Sequence, residues 1–208
     1  MPNKKPMSNS YKYIDPDYTY TNPKTGILRN LQDIEDPDVL LFVESGAVTK
    51  RLQELDENPI KIKGIDSLFE IHRHLFQDIY VWAGKKRIVE ISKDGKQFFP
   101  TSHFDNALRY IDQLIAEFKK IPKNNNKQLA EKLAEILDNV NYLHPFREGN
   151  GRTQREFLRL LSLEKGLTLN LNPPDNESIY KRYMKGTIES DVEILKELIF
   201  ELIDTKNE

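Results

Sequence analysis

A mainly α-helical fold, one domain of helices with a single short β-hairpin, is what this sequence predicts, and three observations carry that reading. From Asp36 onward, apolar residues recur at spacings of three and four with few interruptions. One stretch alone, KKRIVEISKDGKQFFP (85–100), has β-branched residues before an Asp-Gly pair and aromatic ones after it. Nowhere do strand-like and helix-like runs alternate as a parallel sheet would require.

Composition narrows the class. The chain has 208 residues, 38% hydrophobic and 31% charged, enough to bury the core of one soluble domain. With 31 basic and 33 acidic side chains the net charge is -2, so no broad basic field exists and nucleic-acid binding is not expected. There is no cysteine, which excludes disulfides, thiolate catalysis and Cys-ligated metals. The N-terminal lysines are not followed by an apolar h-region, and no apolar run is long enough to span a bilayer. The expectation is a cytoplasmic protein with no membrane partner.

Residues 1–35 are rich in Pro, Asn, Asp, Thr and Tyr without a sustained period, which predicts an irregular arm packed on the domain by Tyr11, Tyr13, Tyr18 and Tyr20. Residues 36–208 form the helical domain. Asp36-Pro37 reads as an N-cap with Pro in the first turn, followed by Val39, Leu40, Val43, Ala47 and Val48. A second helix follows Gly64, capped by Asp66 or by Ser67 in a box with Glu70. Its inner side is Ile65, Leu68, Phe69, Leu75, Phe76 and Ile79, and Trp82-Ala83-Gly84 stops it. His72 and His74, two apart, point to different sides, so they read as surface or packing residues rather than a metal pair.

After the hairpin, Phe104, Ala107, Leu108, Ile111, Leu114, Ile115 and Phe118 mark a helix over 101–120 that ends before Pro122. Another covers 127–143 with Leu129, Leu133, Ile136, Leu137 and Val140 inward. The run 153–165 is apolar nearly all round, so it should be a central helix, ended by Gly166. NPPDNES caps a helix holding Tyr180, Tyr183 and Met184, and Asp191 opens the last through Val192, Leu195, Leu198, Ile199 and Leu202.

Between two of these helices lies HPFREGNGRTQR (144–155). A helix N-terminus favours anions through its free N–H groups and dipole, and Gly149 and Gly151 let a phosphate approach without a Cβ in the way. Arg152 and Arg155 follow on one helical face, spaced to clamp further phosphates. Glu148 suits Mg²⁺, which in nucleotide sites takes one or two carboxylates with phosphate oxygens and water. His144 is the one candidate general base nearby, since an unperturbed imidazole can accept a proton near neutral pH. The Gly-Lys-[Ser/Thr] ending of a P-loop is missing.

These residues resemble the HPFx[D/E]GNGRxxR signature of Fic proteins, filled at every defining position. YVWAGKKRIVEISKDGKQFFP (80–100) is similar to the family's flap, and YIDPDYTYTNPKTGILRN (13–30) to the N-terminus of Fic toxins and effector domains. The resemblance implies an enzyme that moves AMP from ATP onto a hydroxyl of a protein with Mg²⁺. It implies that His144 is the base, that Glu148 holds Mg²⁺, and that Asn150 with the Gly149 to Gly151 amides holds the α-phosphate. Arg152 would then grip the β-phosphate and Arg155 the γ-phosphate. Delivery into a host cell is the alternative location if the chain belongs to an effector.

An enzyme of that kind must hold a target's backbone, which an exposed hairpin edge does by accepting an extra strand. The expected docking flap is Ile91, Ser92, Lys93, Asp94, Gly95, Lys96, Gln97 and Phe98, with Phe98 or Phe99 pinning the target side chain or covering the core. The inhibitory pattern [S/T]xxxE[G/N] found in many Fic proteins is absent. Glu precedes Gly or Asn only at Glu148, inside the motif, and at Glu57, four residues after Gln53. A separate small antitoxin-like inhibitor docking near the N-terminal arm and Arg155 is therefore expected. Two other readings remain: transfer of another phosphate-containing group, and a non-catalytic nucleotide-binding module.

Overall fold

In the computed structural model, which describes residues 11–93 and 95–204, seven α-helices and one small sheet are present among the described residues. In chain order these are β1 (Tyr11–Ile14), α1 (Pro37–Glu57), α2 (Asp66–Phe76), β2 (Glu90–Lys93), β3 (Lys96–Gln97) and α3 (Phe104–Lys120). Then come α4 (Asn126–Leu143), α5 (Asn150–Leu163), α6 (Glu177–Glu189) and α7 (Val192–Asp204). The helical class holds, and the centre of the molecule is the pair α4 and α5. α4 packs against α3, α5 and α7, and α5 also packs against α2. Leu129, Leu133, Ile136 and Leu137 of α4 meet Phe157, Leu158, Leu160 and Leu161 of α5 in one core of fully buried residues. The loop between these two helices is thus anchored at both ends in the most buried part of the fold.

The predicted caps hold at three starts. The Asp36 carboxylate accepts the N–H groups of Asp38 and Val39, Asn176 that of Ser178, and Asp191 that of Ile194. The Ser67–Glu70 box does not form. Ile65 occupies the N-cap of α2 with no side-chain bond, and Ser67 is buried inside the helix, its hydroxyl accepting the Lys63 N–H. That helix ends at Phe76, before Trp82, because Gln77 to Tyr80 tighten into turns. α5 begins at Asn150, three residues earlier than its apolar pattern suggests.

The largest departure is at the N-terminus. The arm is not wholly irregular: β1 pairs antiparallel with β2, Tyr11 opposite Lys93 through Ile14 opposite Glu90. The hairpin turn has two residues, Lys93 facing Lys96, and the strand order is β1-β2-β3. Of the tyrosines expected to strap the arm, Tyr20 does so. It is buried, meets Trp82 edge to face at 5.7 Å, and its hydroxyl accepts the Ile88 N–H. Tyr18 is exposed, and the side chains of Tyr11 and Tyr13 lie outside the described residues. On α1, Val39 points to solvent while Leu40, Glu44, Val48 and Leu55 face inward.

Candidate active site

α4 stops at His144, which caps it in the left-handed region at φ 43 and ψ 60. A side chain with a Cβ resists that conformation by about 1 kcal/mol. Arg87 supplies compensation: its Nε–H donates to the His144 carbonyl at 2.8 Å, and its backbone N–H donates to the Pro145 carbonyl at 2.7 Å. The same guanidinium donates to the carbonyls of Val89 and Phe99, at the two ends of the hairpin, and lies 4.8 Å from the Phe104 ring. One buried cation therefore joins the root of the flap to the histidine.

The His144 ring is oriented from both sides. Its Nδ1–H donates to the Asn141 carbonyl at 3.3 Å, which leaves Nε2 as the nitrogen carrying the lone pair. Phe98 stacks on the imidazole with centroids 3.8 Å apart. Burial pushes the imidazole's pKa down to about 3, so the ring is neutral at neutral pH. Phe99 instead meets Tyr142 edge to face.

The motif loop is fixed in part by His72, which the sequence marks only as a surface or packing residue. His72 is fully buried, and its Nδ1 accepts the Gly84 N–H at 2.8 Å, which places its proton on Nε2 for donation to the Glu148 carbonyl at 3.0 Å. Its ring stacks on Phe146 at 3.7 Å, and burial lowers its pKa to about 3. Asn150 differs from expectation. Its carboxamide accepts the Phe146 N–H and donates to the Phe146 carbonyl, so its side chain closes the loop rather than reaching toward a ligand.

Gly149 caps α5 at φ 81, and a Cβ there would fall 2.3 Å from the Phe76 ring, so no other residue fits. The amides of Asn150, Gly151 and Arg152 open α5, where helix geometry offers no intrahelical acceptor. Arg152 pairs with Glu44 of α1, whose other oxygen accepts from the Tyr80 hydroxyl. Arg155 lies over the rings of Tyr180 and Tyr183, 5.5 and 5.4 Å from their centroids. Arg159, one turn beyond Arg155, pairs with Glu156 and Asp56.

One cavity of about 480 Å³ collects His144, Glu148, Gly149, Gly151, Arg152 and Arg155, with Lys93, Lys96, Gln97 and Phe98 of the hairpin on its wall. That volume falls in the range of small-ligand sites. Tyr180, Met184 and Ile188 of α6 also line the cavity, and Lys96 of the hairpin donates to the Ile188 carbonyl at 3.3 Å. Of the other flap residues, Ile91 is buried, Ser92 and Gly95 lie away from the cavity, and Asp94 lies outside the described residues. Because β1 covers one edge of β2, the outer edge of the hairpin is β3.

Glu148 reaches the cavity with one oxygen accepting the Gly149 N–H at 2.9 Å and lying 3.9 Å from Arg152. Among the described residues no group of three acidic or histidine ligands surrounds a metal position. A single carboxylate beside an anion cradle fits a cation that arrives with a nucleotide and takes its remaining ligands from phosphate and water. No helix among the described residues is long and apolar enough to cross a membrane.

Fold and site together define a helical domain that gathers a glycine-capped helix N-terminus, two arginines and an oriented histidine in one cleft. Comparison with known proteins gives the family. The model of the Fic/DOC family matches residues 62–162. "Probable protein adenylyltransferase y4lH" of Sinorhizobium fredii is 32% identical over 170 residues, 81% of this chain and 85% of that one. This chain belongs to the Fic/DOC family. "Protein adenylyltransferase VbhT" of Bartonella schoenbuchensis is 37% identical over 156 residues, 74% of this chain but 33% of that protein, so the chain spans about a third of that relative's length. The BepC effector of Bartonella tribocorum, solved with bound AMPPNP, shares the fold at a TM-score of 0.76 and 20% identity, over 89% of this chain and 96% of that one.

Proposed function

We propose that this chain is a protein adenylyltransferase that moves AMP from ATP to the hydroxyl of a Tyr, Thr or Ser on a target protein. The single observation that carries the reading is the placement of His144. Its imidazole, with the proton on Nδ1, shares one cavity with the N-terminus of α5. The relatives named protein adenylyltransferase support it, as does the nucleotide analogue bound in BepC.

The chemistry then follows from position. The negative charge of a bound triphosphate would raise the burial-lowered pKa of His144, so the target hydroxyl gives its proton to Nε2 while its oxygen attacks the α-phosphorus, and the bond to the β-phosphate oxygen breaks to release diphosphate. The first amides of α5 stabilise the charge on the α-phosphate, Arg152 meets the β-phosphate and Arg155 the γ-phosphate. Asn150 contributes through its backbone amide, its side chain being committed to Phe146. Glu148 would hold Mg²⁺, which supplies charge neutralisation when bound.

A target segment would lie beside β3, so that its hydroxyl reaches His144 next to Phe98. A carboxylate from a separate small inhibitor would reach Arg155 where it lies over Tyr180 and Tyr183. The test is incubation of the purified chain with ATP, Mg²⁺ and a cell lysate, then mass identification of hydroxyl-linked AMP on a protein. The adduct should vanish with His144→Ala, and an adduct formed equally by that variant would reject the reading.

A further inference from the structure

The inward stripe of α1 contains an acid. Leu40, Glu44 and Val48 fall at successive four-residue steps, and all three are buried. A carboxylate in such a stripe is unfavourable unless its oxygens find partners. Both do: the Tyr80 hydroxyl donates to Oε2, and Nη2 of Arg152 donates to Oε1 at 2.5 Å. Tyr80 is in turn buried and stacked on Trp82, with centroids 4.2 Å apart and planes within 16°. Arg152 rests its guanidinium carbon 4.8 Å from the centre of the buried Phe76 ring. One edge and one face of this cation are thus fixed by buried groups, while the residue still lines the nucleotide cavity. Residue 44 lies outside the stretch 62–162 that matches the family model.

We propose that Glu44, locked by Tyr80, is a positioning residue that aims Arg152 at the β-phosphate of the bound nucleotide. The proposal rests on the nucleotide site described above. An arginine on a loose stem would lose rotamer freedom each time it grips a phosphate, whereas one already fixed in the fold does not. A guanidinium carries five N–H donors in a rigid fork, and the Glu44 bond uses one of them. The pairing is therefore compatible with a phosphate on the remaining donors, and α1 becomes part of the site.

The test is calorimetric titration of the full chain with ADP and, separately, AMP, both with Mg²⁺, because only ADP has a phosphate for Arg152 to meet. Glu44→Gln keeps the shape and removes the charge. It should weaken ADP about tenfold or more, the scale expected when a clamping group is loosened by about an ångström. AMP affinity should stay within about twofold, well under the 1.4 kcal/mol that a tenfold change represents. Tyr80→Phe, which frees one oxygen of Glu44 but keeps the ring, should act in the same direction and less strongly. Equal loss for ADP and AMP would mean a merely structural role and overturn the proposal. Tighter ADP binding by Glu44→Gln would make Glu44 a brake and also overturn it. A wild-type chain that binds neither nucleotide would reject the nucleotide site itself, separately from any effect of the variants.

Discussion

The phenyl ring of Phe98 lies stacked on the imidazole of His144, centroids 3.8 Å apart and planes within 19°. The end of the hairpin's second strand and the histidine therefore share one surface, and a segment lying along that strand is set beside the histidine.

Removing that ring should separate nucleotide binding from transfer. Phe98→Ala leaves the α5 cradle and Arg152 untouched, so ADP affinity should be nearly unchanged. The rate of modification of a protein target should fall by about ten- to a hundredfold, since misplacing a reacting group by about an ångström has effects of that size. Initial rates at saturating ATP provide the check.

The two glycines of the motif should respond differently to a methyl group. Gly149→Ala forces a side chain into φ 81 and into the Phe76 ring, and should destabilise the fold by about 2–5 kcal/mol from backbone strain and overpacking together. Gly151 has ordinary helical geometry, and its added Cβ would meet only the tip of Arg155 at 3.3 Å. Gly151→Ala should therefore keep its denaturation midpoint while binding ADP more weakly, because the methyl would stand in the proposed approach of the phosphate to the amides.

Arg87 joins the hairpin to His144 through backbone carbonyls of three segments. Arg87→Lys keeps the charge but cannot reproduce a planar fork. At least one buried carbonyl is left without a donor, at about 1–3 kcal/mol for each one orphaned. Urea unfolding should show that loss, and hydrogen exchange at 91–98 should quicken relative to α4.

Acid should destabilise the protein earlier than its carboxylates alone would predict. His72 and His144 both have pKa values lowered to about 3 by burial, whereas in the unfolded chain each takes a proton near pH 6.5. Below about pH 6.5 the unfolded state binds more protons than the folded one, so stability falls with pH, by about 1.4 kcal/mol per unit for each histidine. Their contribution is fully present above that pH. Unfolding free energies at pH 7.5 and 5.5 should differ, and His144→Ala should flatten the slope. A flat profile over this window in the wild type would contradict the burial of both rings.

The helices were legible because their information is local: apolar spacing, caps such as Asp36 and Asn176, and breakers such as Gly166 lie within a few residues of what they specify. The motif was legible for the same reason, since its histidine, glycines and arginines sit within twelve positions. What pattern reading missed is held by partners distant in sequence. β1 forms only because β2, some eighty residues on, offers an edge. His72 looked like a packing histidine, and nothing nearby announces its bond to the Glu148 carbonyl. Arg87 was hidden inside a basic run at the entry to the hairpin. Glu44 did leave a trace, an acid at the four-residue step between Leu40 and Val48, but its partners Tyr80 and Arg152 lie on other elements.

The most direct test of the central claim is transfer from ATP labelled separately at the α- and γ-phosphates, using the purified chain, Mg²⁺ and a lysate, beside His144→Ala. Label should reach protein from the α position alone, and the variant should transfer none. Label arriving only from the γ position, or α label transferred undiminished by the variant, would contradict it.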